Sequence, residues 1–312
     1  MMEAGSNQKS RVLFASQRSR EKAREERAFW GFISPWLFGL IFFTGGPFIA
    51  SFLMSFTDYD VVHSPVFNGL KNYSNLFHDH IFYKSLLVTL LYVALSVPFT
   101  IIASLLLAVL LNQKVKGVSF FRTFYYAPSI IAGVSVAYLW SWLLNPEFGL
   151  VNTLLYEVFG VQGPGWFTSS NTVVISMVII RLTSLGTTMV IFLAGLQSLP
   201  TDLYEAAEID GASKMRKFFS MTIPLISPII LFNTILEMIG SFQVFTEAFV
   251  ITKGGPDWNS YFYLLYLFNT AFGEFKMGYA SAQAWILFFI IFALTMVFLW
   301  TSKRFVYYEY NK

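Results

Sequence analysis

Six long apolar runs constrain the fold of this 312-residue chain more than any other feature of its sequence. A helix needs about 20 apolar residues to cross the hydrocarbon core of a bilayer, so each run is long enough to span it. The runs lack the strict alternation of apolar and polar residues that marks the strands of a membrane barrel. The sequence therefore predicts an all-α membrane protein whose six transmembrane helices cover residues 29–55, 86–111, 123–144, 172–196, 225–251 and 278–301.

The composition excludes a single soluble domain. Charged residues make up 12% of the chain and the mean hydropathy is +0.58, whereas an ordinary soluble domain is roughly 25% charged. A soluble core of this size cannot bury so much apolar surface. The chain also has no cysteine, which excludes disulfides, thiol nucleophiles and sulfur metal ligands.

The distribution of lysine and arginine predicts the orientation of the bundle, because positively charged loops stay in the cytoplasm. With the N-terminus inside, the inner segments hold sixteen of these residues and the outer loops hold four, which are Lys71, Lys84, Lys253 and Lys276. Arg181 lies within a span. Both termini and the connection over residues 197–223 are therefore predicted to be cytoplasmic.

This topology divides the chain into three parts. Residues 1–28 form a basic cytoplasmic tail, residues 29–302 form one six-span domain, and residues 303–312 form a short cytoplasmic tail. The basic tail is expected near anionic lipid, and its segment Ser16–Ala28 is either a helix on the membrane surface or, as we favour, a solvated one. The first apolar run is far longer than the apolar region of a signal peptide and lacks a small-residue cleavage site, so we expect no cleaved secretory signal.

Motifs of catalytic chemistry are absent from the sequence. It contains no Gly-x-x-x-x-Gly-Lys-[Ser/Thr] phosphate loop, no His-Glu-x-x-His zinc motif and no Gly-x-Ser-x-Gly nucleophile elbow. His78, Asp79 and His80 lack a third ligand at a recognisable spacing, so we interpret them as an exposed polar loop. We expect no catalytic residue, no metal and no cofactor bound by this chain. The net charge of +3 follows from the loop bias and indicates no nucleic-acid partner.

Polar residues within two successive spans form stripes. At about 100° per residue, Arg181, Ser184 and Thr188 fall within about 60° of each other on the fourth span. The fifth span places a second set within an arc of about 160°. Its members are Asn233, Glu237, Gly240, Ser241, Gln243 and Glu247. Because polar side chains are costly inside a membrane, they tend to face a cavity or a partner.

Two interpretations of the stripes remain open. They could form the walls of a hydrophilic passage for a substrate. Alternatively, Arg181 could neutralise Glu237 or Glu247 and so fix the packing of the helices. For the uncharged residues, hydrogen bonding between helices is a rival explanation.

The connection over residues 197–224 is a polar segment between two long apolar runs. Asp202 and Glu205 have the spacing of a capping box, which predicts a short helix from about 202 to 210 that ends or bends at Gly211. Ser213 is expected to cap a second helix.

The first of these helices and its end contain both small and negatively charged residues. Ala206, Ala207 and Gly211 keep one side slim, while Glu205 and Asp210 offer anionic partners for a basic residue. This combination is suited to a helix that seats in a groove of another protein.

The same residues resemble a known family. Glu205-Ala206-Ala207, Asp210-Gly211 and Ile223-Pro224 resemble the coupling-loop signature of permeases from binding-protein-dependent ABC importers. Other segments are similar to the carbohydrate branch of that family, namely Gly69-Leu70-Lys71-Asn72-Tyr73, Phe121-Arg122 with Pro128, Trp140 with Gly149 and Asn152, and Thr252 with Gly254-Gly255-Pro256. The Gly-Gly-Pro loop resembles that of the maltose-transporter-like first permease.

The resemblance implies a division of labour among several chains. The protein would pair with a second, similar permease, and two copies of an ATPase subunit would bind ATP and Mg²⁺ beneath them. Each permease would seat its coupling helix in an ATPase groove, with Glu205 facing a basic residue and Ala206 and Ala207 allowing close approach. An extracytoplasmic solute-binding protein would deliver a sugar, with an oligosaccharide expected, to a site between the fourth and fifth spans.

Alternatives to this function remain open. An unpaired Arg181 could bind a carboxylate and favour an acidic saccharide such as a uronate, although the neighbouring glutamates argue against it. A secondary transporter could use Arg181, Glu237 and Glu247 as a proton or ion relay. A membrane scaffold or sensor would need no polar stripes.

Overall fold

The computed structural model describes residues 22, 24–113, 116–304 and 306. The predicted tails over residues 1–28 and 303–312 lie largely outside the described residues, as does much of the segment Ser16–Ala28.

Thirteen helices and one hairpin make up the described chain. The helices are α1 (Arg24–Met54), α2 (Lys71–Phe77), α3 (His80–Leu111), α4 (Val118–Ile130), α5 (Gly133–Leu143), α6 (Leu150–Phe159), α7 (Val173–Leu182), α8 (Gly186–Gln197), α9 (Thr201–Ile209), α10 (Lys214–Leu225), α11 (Ser227–Phe242), α12 (Tyr263–Phe268) and α13 (Met277–Ser302). Strands β1 (Thr57–Asp58) and β2 (Val66–Phe67) pair antiparallel between α1 and α2. Short π-helical turns lie within α1 and α10, after α11 over Ala248–Thr252, and after α12 over Asn269–Gly273.

Three helices are long and apolar enough to cross a bilayer without interruption, and they are α1, α3 and α13. Three further pairs reach that length only together. The pair α4 and α5 is bent by 100°, the pair α7 and α8 by 48°, and the pair α10 and α11 by 66°. The described residues therefore hold three to six candidate spans, depending on whether each bent pair crosses as one.

The third and fourth apolar runs, each predicted as one span, are bent helix pairs in the structure, and a third bend lies at the start of the fifth run. A hydropathy scale measures how readily each side chain leaves water for an apolar environment. It contains no information on the direction of a helix, so it could not reveal the bends. Pro228 near the start of α11 cannot donate a backbone hydrogen bond to the preceding turn, which breaks the helix after Leu225. Between α7 and α8 the backbone forms a 3₁₀-type turn, because the N–H groups of Thr183 and Ser184 donate to carbonyls only three positions earlier.

The central helix of the bundle is α3, which packs against α7, α8 and α11. One face of it carries small polar side chains at helical spacing, all of them buried, namely Ser85, Thr89, Ser96, Thr100 and Ser104. Small residues let neighbouring helices approach closely in an apolar environment. Ser96 also donates to the Ser241 hydroxyl of α11 over 3.2 Å, so this face combines close packing with hydrogen bonding.

One end of α3 is tied to two other helices through Asp79. Its Oδ1 accepts from the backbone N–H of Ile81 at 2.8 Å and so caps α3. Its Oδ2 accepts from the hydroxyls of Tyr266 on α12 and Tyr279 on α13. Burial tends to raise the pKa of this carboxyl, but the tyrosine and backbone hydrogen bonds outweigh it, so the pKa lies below its usual value.

The depressed pKa of Asp79 predicts a loss of stability in acid. A carboxyl whose pKa is lowered by folding stabilises the folded state above its unfolded pKa of about 3.9, and this contribution disappears as the pH falls through the folded pKa. Asp79→Asn should lower the free energy of unfolding by about 1 kcal/mol at neutral pH. The difference from the parent should vanish in acid. Thermal unfolding of the detergent-solubilised protein across this pH range tests the idea, and a constant difference at every pH would contradict it.

Gly186 at the start of α8 allows a close helix contact. A Cβ atom added there would lie 2.5 Å from the Ser129 hydroxyl and 2.7 Å from Tyr126 Cα. Gly186→Ala should therefore cost about 1–3 kcal/mol, as overpacked cores do. Gly31→Ala in α1 is the matched control, because nothing lies within 4 Å of its added Cβ. Thermal unfolding midpoints of both variants provide the measurement, and equal midpoints would count against the contact.

Candidate functional site

A polar cavity of about 370 Å³ lies where the three bent helix pairs meet. The side chains that line it come from the bend between α4 and α5, from both sides of the bend between α7 and α8, and from α11 with the segment that follows it. They are Pro128, Ser129, Ile131, Gly133, Val136, Arg181, Ser184, Thr187, Thr188, Ile191, Asn233, Leu236, Glu237 and Glu247.

An ion pair and a hydrogen bond to the same carboxylate join three helices at this cavity. The Arg181 Nη2 atom of α7 lies 2.6 Å from Glu237 Oε2 of α11. The hydroxyl of Thr188 on α8 donates to Glu237 Oε1, also over 2.6 Å. The Glu237 side chain is 9% exposed and that of Arg181 is 32% exposed. Both carboxylate oxygens of Glu237 are therefore engaged by charge-assisted bonds, which are stronger than neutral ones.

Three other polar atoms at the cavity have no hydrogen-bond partner among the described residues. Asn233 is 1% exposed, and its Nδ2 atom has no hydrogen-bond partner among the described residues. The same holds for Ser129 Oγ and Arg181 Nε within the described ranges. Buried donors are ordinarily hydrogen-bonded, so each of them calls for an explanation.

Glu247 adds a second negative charge to the cavity. It lines the wall and interacts electrostatically with Arg181, but the ion pair found within the described residues goes to Glu237. With one positive and two negative side chains, the charges that line the cavity sum to one negative charge.

The structure brings six of the eight predicted pathway residues to the cavity, namely Arg181, Ser184, Thr188, Asn233, Glu237 and Glu247. Ser241 and Gln243 do not line it. Ser241 is buried against Ser96, and Gln243 is exposed.

The expectation that Gln243 and Glu247 share a helical arc with Glu237 is wrong. The helix α11 ends at Phe242. Gln243 then donates from its backbone to Gly240, which closes a tighter turn and rotates the following residues off the helical face. Glu247 nevertheless returns to the cavity by way of this irregular segment.

Two polar contributors are absent from the predicted set. Ser129 and Thr187 both line the cavity, and Ser129 belongs to the third apolar run, where no stripe was found. Pro128 beside it was a signal for a local break.

A second candidate site is the connection formed by α9 and α10. Tyr204 of α9 bonds to the Thr222 hydroxyl of α10 over 2.8 Å. Glu208 of α9 pairs with Lys217 of α10 at 2.8 Å. The Lys217 ammonium holds the pKa of the Glu208 carboxyl below its usual value. Tyr204 and Glu208 are four positions apart, so one face of α9 is fastened to α10 and the other faces outward.

The end of α9 depends on Gly211. Its backbone N–H bonds to the carbonyl of Glu208, and the N–H of Ala212 bonds to the carbonyl of Ala207. These two bonds form a Schellman motif, whose left-handed position is occupied by Gly211 at φ 72°. Ser213 then accepts from the backbone N–H of Arg216 at 3.3 Å and caps α10 as predicted.

The predicted capping box at Asp202 is wrong. The helix α9 begins at Thr201, with Pro200 at the cap position and no side-chain cap bond. Asp202 lies in the first turn instead, where its charge still suits the helix dipole.

The predicted coupling residues lie along α9 and its end. Glu205, Ala206, Asp210 and Gly211 are exposed, and Ala207 is half-buried. Beside them lies a groove of about 480 Å³ between α9, α10 and the end of α3.

A family comparison decides the class of the chain. The model described as "Binding-protein-dependent transport system inner membrane component" matches residues 73–306, well over half of the protein. The chain belongs to this family. The membership that the sequence motifs predicted is thereby confirmed, and the match includes the cavity and the α9–α10 connection.

Relatives within the family extend along almost the whole chain. The probable ABC transporter permease protein YesP of Bacillus subtilis (strain 168) is 39% identical over 299 residues, which cover 95% of this chain and 96% of YesP. The probable starch degradation products transport system permease protein AmyD of Thermoanaerobacterium thermosulfurigenes is 32% identical over 277 residues, which cover 88% of this chain and 94% of AmyD. By their names, both relatives are transport permeases.

The fold is also found among solved structures. A chain from the crystal structure of a bacterial alginate ABC transporter, in complex with an alginate pentasaccharide-bound periplasmic protein, matches with a TM-score of 0.79. It is 19% identical, and the match covers 91% of this family member and 96% of that chain. The chain therefore has a fold like that of ABC importer permeases.

The ion pair at the cavity should behave as a coupled unit. Glu237→Leu leaves Arg181 without its partner and should lower the free energy of unfolding by about 2 kcal/mol, less than the ~3–5 kcal/mol of a fully buried pair because Arg181 is partly exposed. The double variant Arg181→Leu with Glu237→Leu should recover most of that loss.

A double-mutant cycle on unfolding in mixed detergent measures this coupling. Thr188→Val is the control, because it removes one hydrogen bond and should cost about 1 kcal/mol. Additive effects of the two leucine substitutions would contradict the pairing.

Proposed function

We propose that this chain is the sugar-translocating permease subunit of an ATP-driven importer in the bacterial plasma membrane. The observation that carries the proposal is the family match over residues 73–306, which includes both the polar cavity and the connecting helix α9. The name of AmyD, which refers to starch degradation products, supports a sugar and specifically an oligosaccharide as the transported solute.

In the proposed topology each bent pair crosses the membrane once, giving six spans with both termini in the cytoplasm. The combined length and apolar character of each pair support this count. The excess of lysine and arginine on the predicted inner side supports the orientation. The connection over residues 197–224 then lies in the cytoplasm, and the hairpin of β1 and β2 lies outside.

The proposed role of α9 is to couple transport to ATP hydrolysis. One face of the helix is fastened to α10 through Tyr204 and Glu208. The exposed positions Glu205 and Ala206 with the half-buried Ala207 remain to meet a partner. Small side chains there permit close approach, and Glu205 would pair with a basic residue of an ATPase subunit.

The family to which the chain belongs supports the proposed partners. We propose a second homologous permease, two copies of an ATPase subunit and an extracytoplasmic solute-binding protein. ATP and Mg²⁺ would be bound by the ATPase subunits, so this chain would contribute no catalytic residue. Closure of the ATPases would move α9 and open the pathway to the other side of the membrane.

The proposed pathway for the sugar includes the cavity between the bent pairs. Its polar walls within an apolar bundle support this role, because polar groups at membrane depth are retained where they face a cavity or a partner. A proton or ion relay is less well supported, since both carboxylate oxygens of Glu237 are occupied by Arg181 and Thr188.

Reversing the charge of Glu205 tests the coupling role. Glu205→Lys should abolish uptake and the ATPase activity stimulated by sugar, with the permease still inserted in the membrane, because the ATPase groove would meet a like charge. Gly211→Asp should have the same effect through the end of α9, since its left-handed conformation disfavours a side chain.

Glu157→Lys, an equal charge reversal on the exposed face of α6, is the matched control and should transport normally. Uptake of labelled oligosaccharide into cells and immunoblots of membranes give the two readouts. Normal uptake in the Glu205 variant would refute the coupling role. Uptake that continued without any ATPase subunit would favour a secondary transporter.

A further inference from the structure

The helix α6 lies in the connection between α5 and α7, which both belong to candidate membrane spans. Its ten residues rise about 15 Å, half of the roughly 30 Å of a hydrocarbon core, so α6 is too short to cross a bilayer. Much of its surface is nevertheless apolar and exposed, through Leu150, Leu154, Tyr156, Val158 and Phe159. Exposed apolar surface of this extent marks contact with a protein or a membrane.

Two stripes of different polarity run along the exposed surface of α6. At about 100° per residue, the exposed side chains of Leu150, Leu154 and Val158 form an apolar stripe within an arc of about 80°. Thr153 and Glu157 form an exposed polar stripe, and its centre lies about 80° from the centre of the apolar stripe. A helix divided in this way is suited to lie between hydrocarbon and water.

Hydrogen bonds on the third, inward side fix the rotation of α6 about its axis. Asn152 is 8% exposed and donates to the carbonyls of Pro146 and Pro164. Its Oδ1 accepts from Trp166 Nε1 at 2.7 Å. The Trp166 carbonyl in turn accepts from the hydroxyl of Ser176 on α7 at 2.8 Å. The helix α6 is thereby fastened to the first turn of a candidate span, so both stripes have fixed directions beside the end of that span.

The surroundings of α6 favour lipid over a protein partner. Exposed aromatic side chains continue the apolar surface, with Trp142 near the end of α5 and Phe159 at the end of α6. Aromatic residues of this kind are enriched at membrane–water interfaces. A bilayer surface also offers hydrocarbon and water side by side, which matches the two stripes.

The charge of the connection limits the kind of lipid contact. Residues 145–171 contain no lysine or arginine. The attraction of interfacial helices to anionic lipid depends on such residues, whereas the remaining part of their binding depends on buried apolar area. Contact of α6 with lipid therefore depends on its apolar stripe and not on the charge of the headgroups.

We propose that α6 lies in the outer membrane–water interface, with Leu150, Leu154 and Val158 among lipid acyl chains and with Thr153 and Glu157 in water. The partner of this surface is the lipid of the outer leaflet, whatever the charge of its headgroups. The choice of the outer leaflet rests on the topology of the proposed function. The contact with lipid rests on the two stripes and on the bonds that fix them.

Single cysteines measure the surroundings of each stripe, because the chain contains no cysteine of its own. Leu154→Cys reports on the apolar stripe, and Thr153→Cys at the adjacent polar position is its matched control. Val158→Cys and Glu157→Cys repeat the comparison one turn later, so the test does not depend on one variant. The complete transporter in phosphatidylcholine nanodiscs is labelled with an environment-sensitive fluorophore. The parent transporter gives the background from the other subunits.

Two quenchers distinguish lipid from water. We expect phosphatidylcholine that carries a nitroxide near the headgroup end of its acyl chain to quench the labels at the Leu154 and Val158 positions. These labels should also show blue-shifted emission and lose quenching by iodide, which should quench the Thr153 and Glu157 positions. A nitroxide near the methyl end of the chain should quench less, because an interfacial helix is buried by only about 5–10 Å. Replacing part of the phosphatidylcholine by phosphatidylglycerol should leave this pattern unchanged.

Three results would overturn the inference. If the two members of each pair respond alike to either quencher, the stripes do not divide lipid from water. If the Leu154 and Val158 positions are shielded from both quenchers, a protein covers the apolar stripe. If lipid quenching appears only with phosphatidylglycerol, the contact depends on headgroup charge.

A separate measurement tests the side of the membrane. A membrane-impermeant thiol reagent should label the Glu157→Cys transporter in right-side-out membrane vesicles. Labelling only after the vesicles are opened would contradict the topology of the proposed function and leave the contact with lipid standing.

Discussion

The bond between Arg181 and Glu237 is the interaction on which the interior of this bundle depends. A charged side chain inside an apolar bundle is tolerated when it is paired and its remaining hydrogen bonds are made. Arg181 lies before the bend between α7 and α8, and Thr188 lies after it. The two helices meet at 48°, and a side chain from each of them bonds to the one carboxylate of Glu237 on α11. The cluster therefore links both sides of the bend to α11, and the cavity forms beside it.

Much of the fold could be predicted from hydropathy and local motifs, but the bends could not. Five of the six apolar runs correspond to a long helix or a bent pair, and the fifth corresponds to α11 and the segment that follows it, since burial in lipid depends mainly on composition and length. Pro228 gave a local signal for the break between α10 and α11. The 100° turn between α4 and α5 follows Pro128 by several residues, and its angle is set by tertiary contacts that periodicity does not report. The close contact of Gly186 with Ser129 is one of these.

The candidate site was predictable as far as each helix remained regular. Helical spacing identified Arg181, Thr188, Asn233 and Glu237, all of which lie on helical turns that face the cavity. It was wrong for Gln243, because the arc was extended beyond the end of α11. Ser129 was missed for a different reason. A single serine in an apolar run has no stripe around it, and only the meeting of the bent pairs places it at the cavity.

The bend between α10 and α11 places the two candidate sites on one continuous piece of structure. Tyr204 and Glu208 fasten α9 to α10, and α10 is followed after a single residue by α11, which carries Asn233 and Glu237. A displacement of α9 by a partner would therefore act on α10 through a hydrogen bond and an ion pair. It would then reach α11 across a bend of 66°. Since Glu237 is held by Arg181 and Thr188 from two other helices, rotation of α11 must either break that cluster or move α7 and α8 with it. Under the proposed function, this choice determines whether the cavity opens by losing its ion pair or moves as a rigid unit.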